Sequence, residues 1–136
     1  MTGTTPQIDI IGERGTFKAG VGLDMARSPW PTVDTTGSKI ILGEHVVLSA
    51  GVYIHTHTHQ FEKADWRNLD IVRNSEPTTV GDFVFIGVNA QIMYTCKHIG
   101  KCSVIGAGSI VTKDVPDYEI WAGNPAVKIG DVNAVL

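Results

Sequence analysis

His55, His57 and His59 alternate within Tyr53-Ile-His-Thr-His-Thr-His-Gln60, so an extended chain presents three imidazoles on one side. Two chemistries suit them. An alcohol is too weak an acid to ionise at neutral pH, and an imidazole, with an unperturbed pKa of ~6.5, is matched to taking its proton as it attacks an activated carbonyl. Imidazole is also the commonest zinc ligand, and His45 and His98 add two more. Same-side neighbours on a strand are ~6.5–7 Å apart, too far for all three to reach one ion unless the strand bends. The base is therefore the favoured reading, and no metal is expected. A carboxylate commonly orients such a base through its other ring nitrogen. Glu62 and Asp65 lie within reach along the loop, and Asp34 is a candidate that would approach from another coil or subunit.

The elements that position these residues follow from composition and period. Val and Ile number 29 against 5 Leu, with 15 Gly, which describes one β-rich domain of 136 residues with many bends. Charged residues are 18% and the formal charge is −3, with no cluster of Lys and Arg, so neither nucleic acid nor an anionic membrane surface is an expected partner. No apolar run approaches the ~18 residues of a membrane-spanning helix. Two cysteines, six residues apart, and an N-terminus lacking the basic and apolar regions of a secretory signal point to a reduced, cytoplasmic protein.

The chain repeats in sixes. Leu42, Leu48 and Ile54 form one column, followed after a gap by Val80, Ile86 and Ile92, and after one extra residue by Ile99, Ile105 and Val111. Four residues beyond each comes a small or β-branched residue: Val46, Val52, Thr58, Val84, Ala90, Cys96, Ser103, Ser109 and Val115. Gly follows the aliphatic at 43, 81, 87, 100 and 106, where a corner is expected to need a backbone conformation that costs Gly least. Period two makes a flat strand and period 3.6 a helix. A period of six with two inward positions makes short strands joined by tight bends, three to a triangular coil, stacked as parallel strands ~4.8 Å apart.

The period thus predicts an all-β parallel β-helix of about four coils. Upstream, Ile11, Phe17 and Leu23 keep the step, and Thr36-Gly-Ser-Lys-Ile40 is a degenerate copy. Residues 28–37 and 60–77 are turn-rich or out of register and read as excursion loops. The organisation expected is a single domain: residues 1–35 a degenerate first coil and loop, 36–116 the hexapeptide helix carrying loop 60–77, and 117–136 a C-terminal cap. Cys96 falls in an inward slot and reads as core. The extra residue between Ile92 and Ile99 implies a local bulge.

The run Val80-Gly-Asp-Phe-Val-Phe-Ile-Gly-Val-Asn-Ala-Gln-Ile92, then Ile105-Gly-Ala-Gly-Ser-Ile-Val-Thr-Lys-Asp-Val-Pro116 and Ala122-Gly-Asn-Pro-Ala126, resembles the hexapeptide-repeat acyltransferases, most of all the maltose, galactoside and xenobiotic O-acetyltransferases. The resemblance spans about residues 40–130. It implies a left-handed helix, a homotrimer, acetyl-CoA as donor and sites between subunits. It places the catalytic base at His59, although Gln60 stands where that group has Pro. It implies donor contacts at Gly87, Ala107, Thr112 and Lys113, and further ones at Phe85, where the group has Trp, and at Lys128, one position beyond its usual basic residue.

The resulting expectation is acetyl transfer from acetyl-CoA to a hydroxyl of a small, carbohydrate-like acceptor. Two alternatives stand beside it. One is a trimeric scaffold or binding module without chemistry. The other is a zinc enzyme like the γ-class carbonic anhydrases, which share this kind of β-helix but whose His spacing and Arg and Gln surroundings do not map here.

Overall fold

The computed structural model describes residues 8–12, 16–25, 28–60, 70–73 and 76–133. Strand β1 (Asp9–Ile11) precedes a first coil of β2 (Phe17–Ala19), β3 (Asp24–Met25) and β4 (Thr32–Asp34). The second coil is β5 (Ile40–Leu42), β6 (Val47–Leu48) and β7 (Tyr53–Ile54), after which β8 (His57–His59) and β9 (Ile71–Arg73) leave the helix as an antiparallel pair. The third is β10 (Thr78–Val80), β11 (Phe85–Ile86) and β12 (Gln91–Ile92), and the fourth β13 (His98–Ile99), β14 (Val104–Ile105) and β15 (Ile110–Val111). Strands β16 (Glu119–Gly123) and β17 (Ala126–Asp131) follow.

Like positions of successive coils pair in parallel to make three walls: sheet A from β1, β4, β7, β12 and β15; sheet B from β2, β5, β10 and β13; and sheet C from β3, β6, β11, β14 and β16, with β17 added antiparallel. The molecule is a left-handed parallel β-helix. All nine predicted aliphatics are at most 3% exposed, so the period-six column is the core. Burying each such side chain contributes roughly 1.5–3 kcal/mol. Trp121 continues the column beyond Leu48, Ile86 and Ile105, its indole donating to Glu119 at 3.0 Å.

Upstream, the structure shifts the frame. Ala19, Met25 and Val33 stand opposite Leu42, Leu48 and Ile54, so Phe17 and Leu23 lie two residues early, in the second inward column, where both pack on the core. Ile11 points outward at 44% exposure and Ile10 takes the inward place, opposite Val33. The step from Met25 to Val33 is eight, not six. That breaks the period for any reading that runs back from Leu42. The first excursion narrows accordingly, because Thr32–Asp34 within residues 28–37 is a strand of sheet A.

The corner glycines also serve a different purpose from the one expected. Gly43, Gly81, Gly87, Gly100 and Gly106 do not carry a positive φ; the left-handed residues come two places later, at His45, Phe83, Asn89, Cys102 and Gly108. At the glycines themselves a β-carbon would strike the coil beyond, as Gly87 would strike the backbone of Ala107. Close stacking demands them. The extra residue before Ile99 makes no bulge in a strand. A corner turn closed by Cys96 N–H donating to the Met93 carbonyl absorbs it, and Val80 stays opposite Ile99.

Candidate functional site

The excursion starts where the A–B edge of the second coil is fastened to the first. Thr56, fully buried, donates through Oγ1 to the Asp34 carbonyl at 2.7 Å and accepts from the amides of Gly37 and Ser38 at 2.9 and 3.2 Å. Gly37 has no β-carbon because one there would strike the Thr56 carbonyl. Thr56, not Thr58, is therefore the small inward residue of this repeat. With its hydroxyl holding the corner, the chain turns out two residues sooner than the spacing implies, and Thr58 lies on the hairpin. Gln60 N–H donates to Asp70 O at 2.8 Å across the hairpin.

The three histidines diverge. His55 stacks on Tyr53, centroids 4.0 Å apart, and donates through Nε2 to Gln91 Oε1 at 2.7 Å. His57 turns its Nδ1 toward Asp34 Oδ2 at 3.3 Å, both side chains largely buried. His59, at the outer end of β8, is exposed and meets His57 edge to face, centroids 5.5 Å apart. Among the described residues no three His, Cys, Asp or Glu side chains gather to hold a metal ion. His98 bonds Thr79 at 2.7 Å on the strand that follows the excursion, and His45 stacks on Phe83. Burial, reinforced by the Asp34 charge, pushes the Tyr53 hydroxyl above its usual pKa. Glu62 and Asp65 lie outside the described residues.

Of the other predicted residues, Gly87, Ala107, Thr112 and Lys113 fall on two edges of the prism, while Phe85 and Lys128 lie on sheet C. On the C–A edge, Gly87 is buried directly against Ala107, which is exposed; beside it Gly108 faces open space, and Val88 is exposed. Phe85, 44% exposed, projects from the outer face of sheet C between Val47 and Val104. On the A–B edge, Thr112 and Lys113 form the corner after β15, two coils beyond the one that launches the excursion. Lys128, on β17, is engaged by Asp131 at 2.9 Å and Glu119 at 3.3 Å, and these bonds raise its pKa. Asp34, expected as an orienting carboxylate from another coil, does come from the preceding coil, but it faces His57 rather than His59.

A bare-backbone corner flanked by apolar side chains, with a lysine on the next edge, suits a long amphipathic donor bearing phosphates at one end. Proteins similar to this chain are named acetyltransferases. The chain is 34% identical over 120 residues to galactoside O-acetyltransferase of Escherichia coli, covering 86% of this chain and 58% of that one. It is 34% identical over 122 residues to chloramphenicol acetyltransferase of Klebsiella aerogenes, covering 78% and 57%. A galactoside acetyltransferase solved in complex with coenzyme A superposes with a TM-score of 0.71 at 26% identity, over 88% of this chain and 68% of that one. A hexapeptide-repeat acetyltransferase from Vibrio cholerae gives a TM-score of 0.71 at 22% identity, over 93% and 71%, a likeness of fold. No family model matches. The chain belongs to the hexapeptide-repeat acyltransferases. It spans a little over half the length of these two curated relatives.

Proposed function

We propose that the protein transfers the acetyl group of acetyl-CoA to a hydroxyl of a small, carbohydrate-like acceptor, with His59 as general base. The observation that carries this is the placement of an exposed imidazole on the same prism edge as Thr112 and Lys113, in a chain whose relatives are named acetyltransferases. His59 takes the acceptor proton as the oxygen attacks the thioester carbonyl. Backbone N–H groups are suited to receive the charge that develops on the carbonyl oxygen. The tetrahedral intermediate then collapses, the C–S bond breaks, and coenzyme A leaves as thiolate.

The donor would lie along Gly87 and Ala107, with Phe85 beside it and Thr112, Lys113 and Lys128 toward its phosphates. Gly87 and Ala107 sit on one edge and Lys113 and His59 on another. A homotrimer lets one molecule offer the first edge and its neighbour the second. The outward row Val47, Phe85, Val104 and Ile120 on sheet C supports such association, since it is apolar and incompletely covered in a single chain. Two free thiols, Cys96 and Cys102, support a cytoplasmic location.

Release of free thiol across a panel of hydroxyl acceptors tests the reaction, and thermal stabilisation by acetyl-CoA but not by adenosine tests the donor. His59→Ala is expected to remove most turnover while leaving assembly and donor binding intact. Near-normal turnover in that variant would overturn the mechanism. Absence of any shift with millimolar acetyl-CoA favours the scaffold reading, and stoichiometric zinc with chelator-sensitive activity favours the metal one.

A further inference from the structure

Asp34 is a carboxylate almost wholly withdrawn from water, and such a group must be compensated by what surrounds it. One oxygen, Oδ1, accepts from the Thr36 amide at 2.9 Å. The other, Oδ2, faces His57 Nδ1 at 3.3 Å. That nitrogen is itself buried and makes no hydrogen bond of good geometry, so the carboxylate is what stands opposite it. The two residues come from successive coils, and three separate hydrogen bonds through Thr56 lock those coils together at this point.

What the pair holds is a ring plane. His57 and His59 sit on the same side of β8, whose backbone is fixed by pairing with β9, His57 opposite Arg73 and His59 opposite Ile71. Their rings meet at an interplanar angle of 85°, the edge-to-face arrangement that aromatic rings favour. An exposed histidine is otherwise free to sample several rotamers, and a base that samples them is correctly aimed only part of the time.

We propose that Asp34 and His57 form a positioning pair that aims the His59 ring, with Asp34 fixing His57 and His57 fixing His59 through ring contact. The inference rests on the reading of His59 as base. Neither Asp34 nor His57 is a catalytic residue in this arrangement, since neither touches the reacting atoms.

The test compares Asp34→Asn, His57→Ala and His57→Phe with the unaltered protein, by steady-state kinetics and by the NMR signals of the His59 ring carbon-bound protons. Loss of aim is expected to lower kcat of His57→Ala by about tenfold or more while KM for acetyl-CoA changes less than about twofold. His57→Phe, which keeps a ring, should recover most of that loss, and Asp34→Asn should fall between them. The His59 ring signals, shifted by the neighbouring ring, should move toward free-histidine positions in His57→Ala and stay near their place in His57→Phe.

Unchanged kcat in His57→Ala, or His59 signals that do not move, overturns the proposal. Equal inactivity of the Ala and Phe variants with undisturbed His59 signals also overturns it, by making His57 itself the base. Should His57→Phe fail to fold, the near-isosteric Asp34→Asn still decides the matter, because it keeps the acceptor for Thr36. If the unaltered protein transfers no acetyl group, or His59→Ala is fully active, the reading of the reaction fails, and the NMR comparison still judges the pair on its own.

Discussion

The amide nitrogen of Ala107 lies 2.7 Å from the point where a β-carbon on Gly87 would stand, with the Ile105 carbonyl oxygen at 2.9 Å. One coil rests on the next with no room for a methyl group, and the obstructing atoms are backbone, which cannot swing aside. Gly87→Ala should cost about 1–3 kcal/mol, the usual range for overpacking, read as a lower denaturant midpoint with unchanged slope. Gly108→Ala, by contrast, meets no neighbouring atom and pays only for its left-handed backbone.

Thr56 fastens two coils with one hydroxyl. Thr56→Val keeps the shape and removes the hydroxyl, leaving the Asp34 carbonyl and the Gly37 amide without their partner. A loss of about 1–3 kcal/mol of unfolding free energy is expected, measured by urea denaturation. Thr58→Val, on the hairpin, should change stability by less than about 0.5 kcal/mol.

Burial pushes the Cys96 thiol up to about 12, with the Asp114 charge adding to the effect. Between the ordinary thiol value of 9.0 and about 12, the unfolded chain has lost this proton and the folded chain keeps it. The native state then binds more protons, so stability falls as pH rises through that window, by up to about 1.4 kcal/mol per pH unit from this group. Other groups titrate there too. The check is therefore the difference between the unaltered protein and Cys96→Ala, whose curve should be flatter by that slope. At pH 8 an alkylating reagent should modify half-buried Cys102 and spare Cys96 until the protein is unfolded.

Lys113 and Lys128 were both expected at the donor phosphates, but their surroundings differ. Lys113 is exposed at a corner, whereas two carboxylates hold the Lys128 ammonium. Lys113→Ala should raise KM for acetyl-CoA by about tenfold, the scale of one charge-assisted phosphate contact, with kcat little changed. Lys128→Ala should alter KM less than about threefold, because its charge is already matched.

Leu42 through Val111 were legible because one inward column of these coils is filled by aliphatic side chains at every step, so the period survives translation into residues. Phe17 and Leu23 pointed to the right face but the wrong column, since the eight-residue step to Val33 leaves no mark on a pattern of sixes. The corner glycines were visible while their reason was not: φ is local, but the approach of Ala107 to Gly87 is between coils. The alternation of His55, His57 and His59 was plain. That they part company, one to Gln91 and one to Asp34, depends on where Thr56 ends the coil, and only the stacking of Asp34 and Thr56 decides that.

Strand β17 runs against the direction of every strand in sheet C. A stack of parallel coils is open-ended by construction, because each rim of unpaired N–H and C=O groups is a template for one more coil, including a coil from another molecule. By folding back across β16, β17 offers that rim a reversed strand with Lys128 and Asp131 on it, and a parallel newcomer loses its match. The hairpin therefore closes the sheet C end of the stack with a strand of reversed direction, so that wall ends without a parallel edge.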